Sequence, residues 1–300
     1  MADELPADPE PLPASVTDAH THLLSTLEYS GLEVADAVQR AGRAGVTRLV
    51  EVGCDVPSSQ RAIELAQLHP QVIACVALHP NDAARAGDRL DADLERLAAL
   101  VGSSDRVRGI GETGLDYYRT RDDEGRHRQR KSFAAHLAWA RVHGLPVVIH
   151  DRDAHTDVLD VLDVEGVPER FMMHCFSGDA VFARQCLDRG AWLSFPGTVT
   201  FKPNEALRQA FDITPDDRLL VETDAPYLTP VPLRGRPNAS YLLPHTVRFL
   251  AERRGADLAE FCRLLDDNAT ALFGLWGSTG PTGDGSPGSG EGPPGGRRNG

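Results

Sequence analysis

The chain has 300 residues, of which 41% are hydrophobic and 25% charged, a composition typical of a globular protein with a sizeable core. The formal net charge of −13 argues against passive, charge-driven binding to nucleic acid, because proteins that bind in this way present a basic face. The charge does not exclude a polyanionic substrate held at a bound metal ion, since the ion reverses the local electrostatics.

The cysteines and the N-terminal sequence indicate the cellular compartment in which the protein is expected. The five cysteines are odd in number, widely spaced and never arranged as C-x-x-C, so we interpret them as reduced thiols and not as disulfides or a thiolate zinc site. The acidic, proline-rich N-terminus has neither the basic nor the apolar part of a signal peptide. No apolar run approaches the roughly 18 residues of a membrane span. We therefore expect a cytoplasmic protein without membrane association.

Both ends of the chain have the composition of unstructured segments. Residues 277–300 contain no hydrophobic side chain and are rich in glycine and proline, so we predict a disordered tail there. Residues 1–15 have a similar character and are predicted to be a disordered extension. The folded body is then residues 16–276, which we treat as one domain.

Within this body, short apolar runs rich in β-branched residues alternate with longer amphipathic stretches. The predicted strands cover residues 16–20, 47–53, 72–78, 107–111, 146–149, 170–173, 191–195 and 218–221. The predicted helices cover residues 33–44, 58–68, 90–101, 129–143, 180–189, 243–254 and 258–265. Eight strands that alternate with helices predict an α/β fold, a parallel (β/α)8 TIM barrel. A doubly wound open sheet is the alternative, but no G-x-G-x-x-G opens a helix after the first strand.

Histidine and carboxylate side chains recur just after the predicted strands. In chain order they are His20, His22, His79, Glu112, His150, His174 and Asp224. The C-terminal ends of barrel strands meet at one mouth, where active sites lie. Imidazole suits zinc and carboxylate suits magnesium or manganese, so the mixture predicts two divalent ions whose identity stays open. Glu112, on the middle strand, is expected to bridge the two ions.

Each of these residues also has a structural interpretation. Glu112 precedes a glycine and is a candidate turn carboxylate, His150 and His174 are candidate core histidines, and Asp224 is a candidate turn cap. His79 precedes a proline and has the weakest case for a functional role. Histidines inside the helix-like segments, at 127, 136, 143 and 155, receive no role.

Several segments together resemble the signatures of the TatD family of metal-dependent deoxyribonucleases. The main ones are His20-Thr21-His22, Gly111-Glu112-Thr113-Gly114-Leu115-Asp116, Ile149-His150-Asp151-Arg152, His174-Cys175-Phe176-Ser177-Gly178 and Glu222-Thr223-Asp224-Ala225-Pro226-Tyr227-Leu228. Leu78-His79-Pro80, Pro196-Gly197-Thr198-Val199-Thr200-Phe201 and Pro230-Val231-Pro232-Leu233-Arg234-Gly235 also match. The resemblance covers essentially all of residues 16–276.

The resemblance implies a deformed TIM barrel of the metallo-dependent hydrolase type that cleaves DNA, trimming single strands from the 3′ end. In that family, the residues matching His20, His22, Glu112 and Asp224 hold one ion. Those matching Glu112, His150 and His174 hold the second.

Roles for the remaining polar groups at the mouth follow from the proposed hydrolysis. Asp224 is expected to orient or deprotonate the attacking water, and His79 to hydrogen-bond the scissile phosphate. By their place in the motifs, Arg152 and Arg234 are expected to clamp phosphate oxygens.

Two departures from the family pattern put substrate preference in doubt. Asp151 stands where a small hydroxyl residue is common, and Ala239-Ser240 stands where a Glu-Pro is common. Neither position is an expected metal ligand.

Three other functions remain open. The first is an amidohydrolase acting on a small amide, ester or lactone, although many of these bridge their metals with a lysine where this chain has Glu112. The second is a deacylase of mischarged tRNA, because the same activated water attacks carbonyl groups. The third is a catalytically silent barrel that serves as an interaction module, which a missing metal ligand would indicate.

For the favoured nuclease function, we expect a monomer with single-stranded DNA as its substrate.

Overall fold

The computed structural model describes residues 5–276, in which eight strands form one sheet in chain order with every neighbouring pair parallel. The strands are β1 (Val16–Thr21), β2 (Val46–Val52), β3 (Val72–Val76), β4 (Val107–Asp116), β5 (Val147–Arg152), β6 (Phe171–Met173), β7 (Trp192–Phe195) and β8 (Leu219–Val221). The predicted α/β barrel is therefore confirmed.

Helices alternate with these strands along the chain. They are α1 (Leu23–Ser30), α2 (Val34–Arg43), α3 (Val56–Leu68), α4 (Pro80–Ala86), α5 (Leu90–Val101), α6 (Asp123–His143), α7 (His155–Glu165), α8 (Ala180–Asp188), α9 (Glu205–Ile213), α10 (Leu243–Arg254) and α11 (Leu258–Phe273). Among residues 5–276, none of the helices combines the length and the apolar character needed to cross a bilayer.

The alternation of side chains along each strand separates an inner and an outer core. On β3, Val72, Ala74 and Val76 pack with the helices, whereas Ile73 and Cys75 join a separate cluster inside the barrel. Every residue of β3 is buried, as expected for a strand covered on both faces.

Helix α11 closes the N-terminal end of the barrel. Phe273 and Trp276 belong to the inner cluster, and the Trp276 indole N–H donates to the carbonyl of Gln71 (2.9 Å), immediately before β3. The C-terminal ends of the strands are left for the functional site.

The seam between β8 and β1 is closed by a buried side chain. The Asp18 carboxylate accepts hydrogen bonds from the backbone N–H of Thr223 (2.8 Å) and from its hydroxyl (2.6 Å). Two backbone bonds follow, from Asp224 N–H to the His20 carbonyl and from His22 N–H to the Ala225 carbonyl, each 3.0 Å. Burial raises the pKa of Asp18 to about 7, against the lowering effect of the Thr223 donors.

The prediction that residues 1–15 are disordered is wrong for residues 5–15. Leu12 is buried and its N–H donates to the Ala44 carbonyl (3.0 Å). The Pro6 carbonyl accepts from the Tyr241 hydroxyl (2.7 Å), and Asp8 pairs with Arg40. A proline-rich segment can therefore pack as an extended strap, whose carbonyl and carboxylate oxygens accept hydrogen bonds from side chains of the barrel domain. Residues 1–4 and the predicted tail, 277–300, lie outside the described residues.

The predicted helices are found, but four short helices were missed. These are α1, α4, α7 and α9, none longer than 11 residues. Helices α1 and α4 begin directly after histidines that follow predicted strands, and α7 begins at His155, a residue already placed in a helix-like segment. Strand β4 also continues beyond the predicted end at residue 111, to Asp116.

His136, on α6, is a buried histidine that supports the strand end before His79. Its Nδ1–H donates to the Ser132 carbonyl (2.7 Å), and its Nε2 accepts the N–H of Leu78 (3.0 Å). This arrangement requires the neutral ring. Burial lowers the pKa of His136 from 6.5 to about 4, with only partial opposition from the Ser132 carbonyl.

We predict that His136 contributes to the acid sensitivity of the fold. Because the unfolded chain binds a proton near pH 6.5 and the folded chain only near pH 4, the stabilisation is complete above pH 6.5 and declines towards pH 4. At pH 5 the expected loss is about 2 kcal/mol relative to pH 7. Urea unfolding of chelated protein at both pH values should show this loss, and His136→Gln should reduce it. His127→Gln, an exposed position on the same helix, should leave the pH dependence intact; an equal slope in all three proteins would contradict the prediction.

Candidate metal centre and active site

A cavity of about 860 Å³ opens at the C-terminal ends of the strands. Six of the seven residues singled out after the predicted strands line it, namely His22, His79, Glu112, His150, His174 and Asp224. The seventh, His20, is fully buried directly behind them. The structure therefore brings together all seven side chains.

Glu112, on β4, is the centre of this arrangement and is only 4% exposed. Five imidazoles surround its carboxylate. The distances from carboxylate oxygen to ring nitrogen are 3.5 Å for His20, 3.9 Å for His22, 3.4 Å for His79, 2.5 Å for His150 and 2.9 Å for His174. One buried carboxylate thus connects strands that are far apart in the sequence.

His20 and His22 both direct Nε2 towards the cavity. The His22 Nδ1–H donates to the Val52 carbonyl (3.0 Å), which fixes the ring. The two Nε2 atoms lie 3.2 Å apart, and they are 3.8 Å and 3.5 Å from the Asp224 carboxylate. Residues i and i+2 of an extended segment point to the same face, and the rings of His20 and His22 do so here.

Two further carboxylates orient histidines of the site. The Glu222 carboxylate is fully buried and accepts from His174 Nδ1–H (3.0 Å) and from Cys175 N–H (2.7 Å). Asp116 lies 3.5 Å from the His150 Nε2 and accepts from the Asn81 side-chain amide (3.0 Å). Such outer carboxylates fix the tautomer and direction of a metal-binding imidazole.

The pKa values reflect a buried site with strong coupling between acids and imidazoles. Burial would raise the pKa of Glu112, but His174, His79 and His150 hold it well below its usual range. Burial lowers the pKa of His150, yet Glu112 and Asp116 raise it to about 9. Glu112 and Glu222 likewise outweigh burial and raise the pKa of His174. These acids attract positive charge, which protons supply in the apo protein and a divalent ion supplies better.

The donor set fits divalent metal ions. Among the described residues, donor atoms within 4.8 Å of one another form the groups His20–His22–Asp224, His20–Glu112–His174 and His79–Glu112–His150. The buried His20 Nδ1 has no hydrogen-bond partner within residues 5–276, and the buried His150 Nε2 has only the Asp116 carboxylate, 3.5 Å away. A cluster of imidazoles and carboxylates with unsatisfied buried nitrogens is typical of a metal centre.

The two predicted phosphate-clamping arginines differ in position. Arg152, at the end of β5, lines the cavity, and its guanidinium lies 4.0 Å from the ring centroid of Tyr118. Arg234 is exposed and lies 4.6 Å from the Phe201 ring centroid, and it does not line the cavity.

Sequence reasoning missed several groups of the site. Glu222, Asp116 and Cys54 lie beside the histidines, and Tyr227 lines the cavity while 54% exposed. For Glu222 a signal existed, since it is an acid directly after the apolar strand β8. Asp116 ends β4, beyond the predicted end of that strand, and loops whose path the local sequence does not show bring Cys54 and Tyr227 to the site.

The barrel with a buried cluster of histidines and acids at its mouth defines a class, the metal-dependent hydrolases. The family described as TatD related DNase matches residues 17–274, and this chain belongs to it. A Mycobacterium tuberculosis protein named uncharacterized metal-dependent hydrolase TatD is 44% identical over 87% of this chain and 98% of its own length. The protein named 3′-5′ ssDNA/RNA exonuclease TatD from Citrobacter rodentium is 35% identical over 80% of this chain and 91% of its own length.

A solved structure agrees with the assignment. The crystal structure of a TatD homologue from Escherichia coli superimposes with a TM-score of 0.79 at 28% identity, over 87% of this chain and 98% of that one. The chain is therefore an enzyme, a metal-dependent hydrolase of the TatD family. The hypothesis of a catalytically silent interaction module is not supported.

We predict that Glu222 controls metal affinity through His174. Glu222→Ala removes the acceptor that holds the His174 ring, so zinc or manganese affinity should fall by about 10–100-fold. Glu222→Gln, whose amide oxygen still accepts, should lose less. Competition with a chelating dye measures the affinity, and circular dichroism checks the fold. Asp163→Ala, which breaks an exposed ion pair with Arg189, is the control; unchanged affinity in Glu222→Ala would refute the role.

Proposed function

We propose that this enzyme is a deoxyribonuclease that hydrolyses phosphodiester bonds of single-stranded DNA from the 3′ end. The observation that carries the proposal is the placement of Glu112, a single buried carboxylate with histidine donors on both sides. Such a group is suited to bridge two ions, the arrangement used by many nucleases and phosphatases. The relative named 3′-5′ ssDNA/RNA exonuclease supports the substrate class.

We assign one ion to His20, His22, Glu112 and Asp224, and a second to Glu112, His150 and His174. When bound, the ions would lower the pKa of a water molecule and neutralise the phosphate; their identity, among magnesium, manganese and zinc, stays open. Asp224, at the mouth, would accept the proton of the attacking water.

His79 is placed to hydrogen-bond a phosphate oxygen. Its Nδ1 accepts the N–H of Asn81 (3.1 Å), so its Nε2–H faces the cavity and lies 3.4 Å from Glu112. The backbone bond fixes both the tautomer and the direction of the donor.

The rim of the cavity has the features of a single-strand binding surface. Arg85, Arg119 and Arg152 line it, although the whole chain carries a net charge of −13. Tyr118 and Tyr227 expose about half of their side-chain surface, and Tyr118 stacks on Arg152. Guanidinium groups bind phosphate oxygens and aromatic rings stack on bases, so this rim suits a nucleic acid better than a small amide.

The first test is hydrolysis of a 5′-labelled single-stranded oligodeoxynucleotide by chelated enzyme, after magnesium, manganese or zinc is restored. We expect a metal-dependent ladder that shortens from the 3′ end. Glu112→Ala should reduce the rate by about 1,000-fold or more, because several kcal/mol of charge stabilisation is lost.

Two outcomes would count against this proposal. Ladder bands that persist in folded Glu112→Ala would mean a contaminating nuclease or a wrong ligand assignment. Absence of cleavage with every ion, despite bound metal, would favour the carbonyl substrates of the amidohydrolase and aminoacyl-tRNA deacylase alternatives.

We further predict that Arg152 contributes to binding of DNA. Arg152→Ala should raise KM for the oligonucleotide about tenfold with a smaller change in kcat, since a hydrogen bond to a charged group contributes about 1.5–3 kcal/mol. Arg234→Ala should raise KM less, because Arg234 lies against Phe201 outside the cavity. Steady-state kinetics at fixed ionic strength compares the two; a larger effect of Arg234 would reverse our assignment.

A further inference from the structure

Cys54 lies beside the expected metal ligands, and hydrogen bonds of its backbone hold it there. It follows β2 and lines the cavity. Its N–H donates to the Ser58 hydroxyl (2.9 Å), and its carbonyl accepts the N–H of His79 (2.8 Å). The residue is therefore fixed between the ends of β2 and β3, and its position is tied to that of His79.

The thiol of Cys54 lies among the expected metal ligands. The Cys54 sulfur, a ring nitrogen of His22 and a carboxylate oxygen of Glu112 all lie within 4.8 Å of one another. Donor atoms bound to one zinc ion lie about 3–4 Å apart, so a small contraction of these side chains would suffice. This group shares His22 and Glu112 with the other donor groups but adds an atom of a different chemical type.

We propose that Cys54 supplies a thiolate donor to the ion held by His22 and Glu112, and that this donor favours zinc over magnesium. The inference rests on the metal ligands proposed above, but not on the nature of the nucleic acid. On coordination, the sulfur–metal bond forms and the thiol proton leaves to solvent.

The chemistry of the donor explains the preference. Thiolates are soft ligands that select zinc and similar ions, whereas magnesium prefers oxygen ligands and retains its water. Imidazole and carboxylate alone leave the choice of ion open, so one sulfur is enough to shift it.

Cys175 provides a matched comparison. It also lines the cavity, and it follows the expected ligand His174, but it belongs to none of the donor groups found within residues 5–276. Its backbone N–H is bound to Glu222. Position in the cavity alone would make the two cysteines equivalent, whereas the donor geometry distinguishes them.

The test is cobalt substitution, which reports ligands without any assay of activity. Cobalt(II) added to chelated full-length protein should give visible d–d absorption from the bound ion and a sulfur-to-cobalt charge-transfer band in the near-ultraviolet. Cys54→Ser should keep the visible absorption and lose the charge-transfer band. Cys175→Ser should keep both, and circular dichroism should show that both variants are folded.

Metal competition gives the second measurement. We expect Cys54→Ser to bind zinc about tenfold more weakly or worse, a loss typical of altered metal surroundings, with magnesium affinity changed less than twofold. Equal losses for zinc and magnesium would overturn the preference.

The remaining outcomes distinguish failure of the sulfur donor from failure of the whole set of proposed metal ligands. Visible absorption without a charge-transfer band in the unmodified protein, or a band that survives in Cys54→Ser, would refute the sulfur donor and leave the nuclease proposal intact. No cobalt binding at all would refute both the sulfur donor and the ligand set.

Discussion

The buried carboxylate of Asp18 is the contact on which the rest of the site depends. It joins β1 to Thr223, a residue 205 positions further along the chain, through two hydrogen bonds. The adjoining backbone bonds then set His20 and His22 beside Asp224. A parallel barrel needs its first and last strands to meet, and here the closing residues are also those that carry the proposed metal donors.

Glu112 plays the corresponding role in the interior of the site. Placing a carboxylate at 4% exposure is costly unless polar or charged partners surround it, and five histidine rings lie around Glu112. Outer acids such as Glu222 and Asp116 fix the rings, so that the donors are organised before any ion binds. The proposed polyanionic substrate is compatible with an acidic protein, because bound ions and the arginines at the rim would provide local positive charge where the overall charge is negative.

A large part of this structure was predictable from the sequence. Apolar runs such as 72–78 and 107–111 identified strands, and their alternation with helices identified the barrel. Histidines and acids after those strands indicated the candidate site, because the C-terminal ends of barrel strands share one mouth. Short helices such as α4 and α9 were not predictable in this way, since their few residues give too little periodicity. The strap at residues 5–15 escaped because its partners, Ala44 and Tyr241, are distant in sequence.

The sequence by itself determined the fold class and the family and indicated a metal centre, because each depends on residue type and local order. Only the tertiary structure decided which groups act together. It placed Arg152 in the cavity and Arg234 outside it. It paired the Glu222 carboxylate with the His174 ring, and it brought the Cys54 sulfur close to His22 and Glu112. Such contacts depend on the paths of the loops and on the directions of the side chains. Both are set by packing in the folded protein and are not encoded in the local sequence.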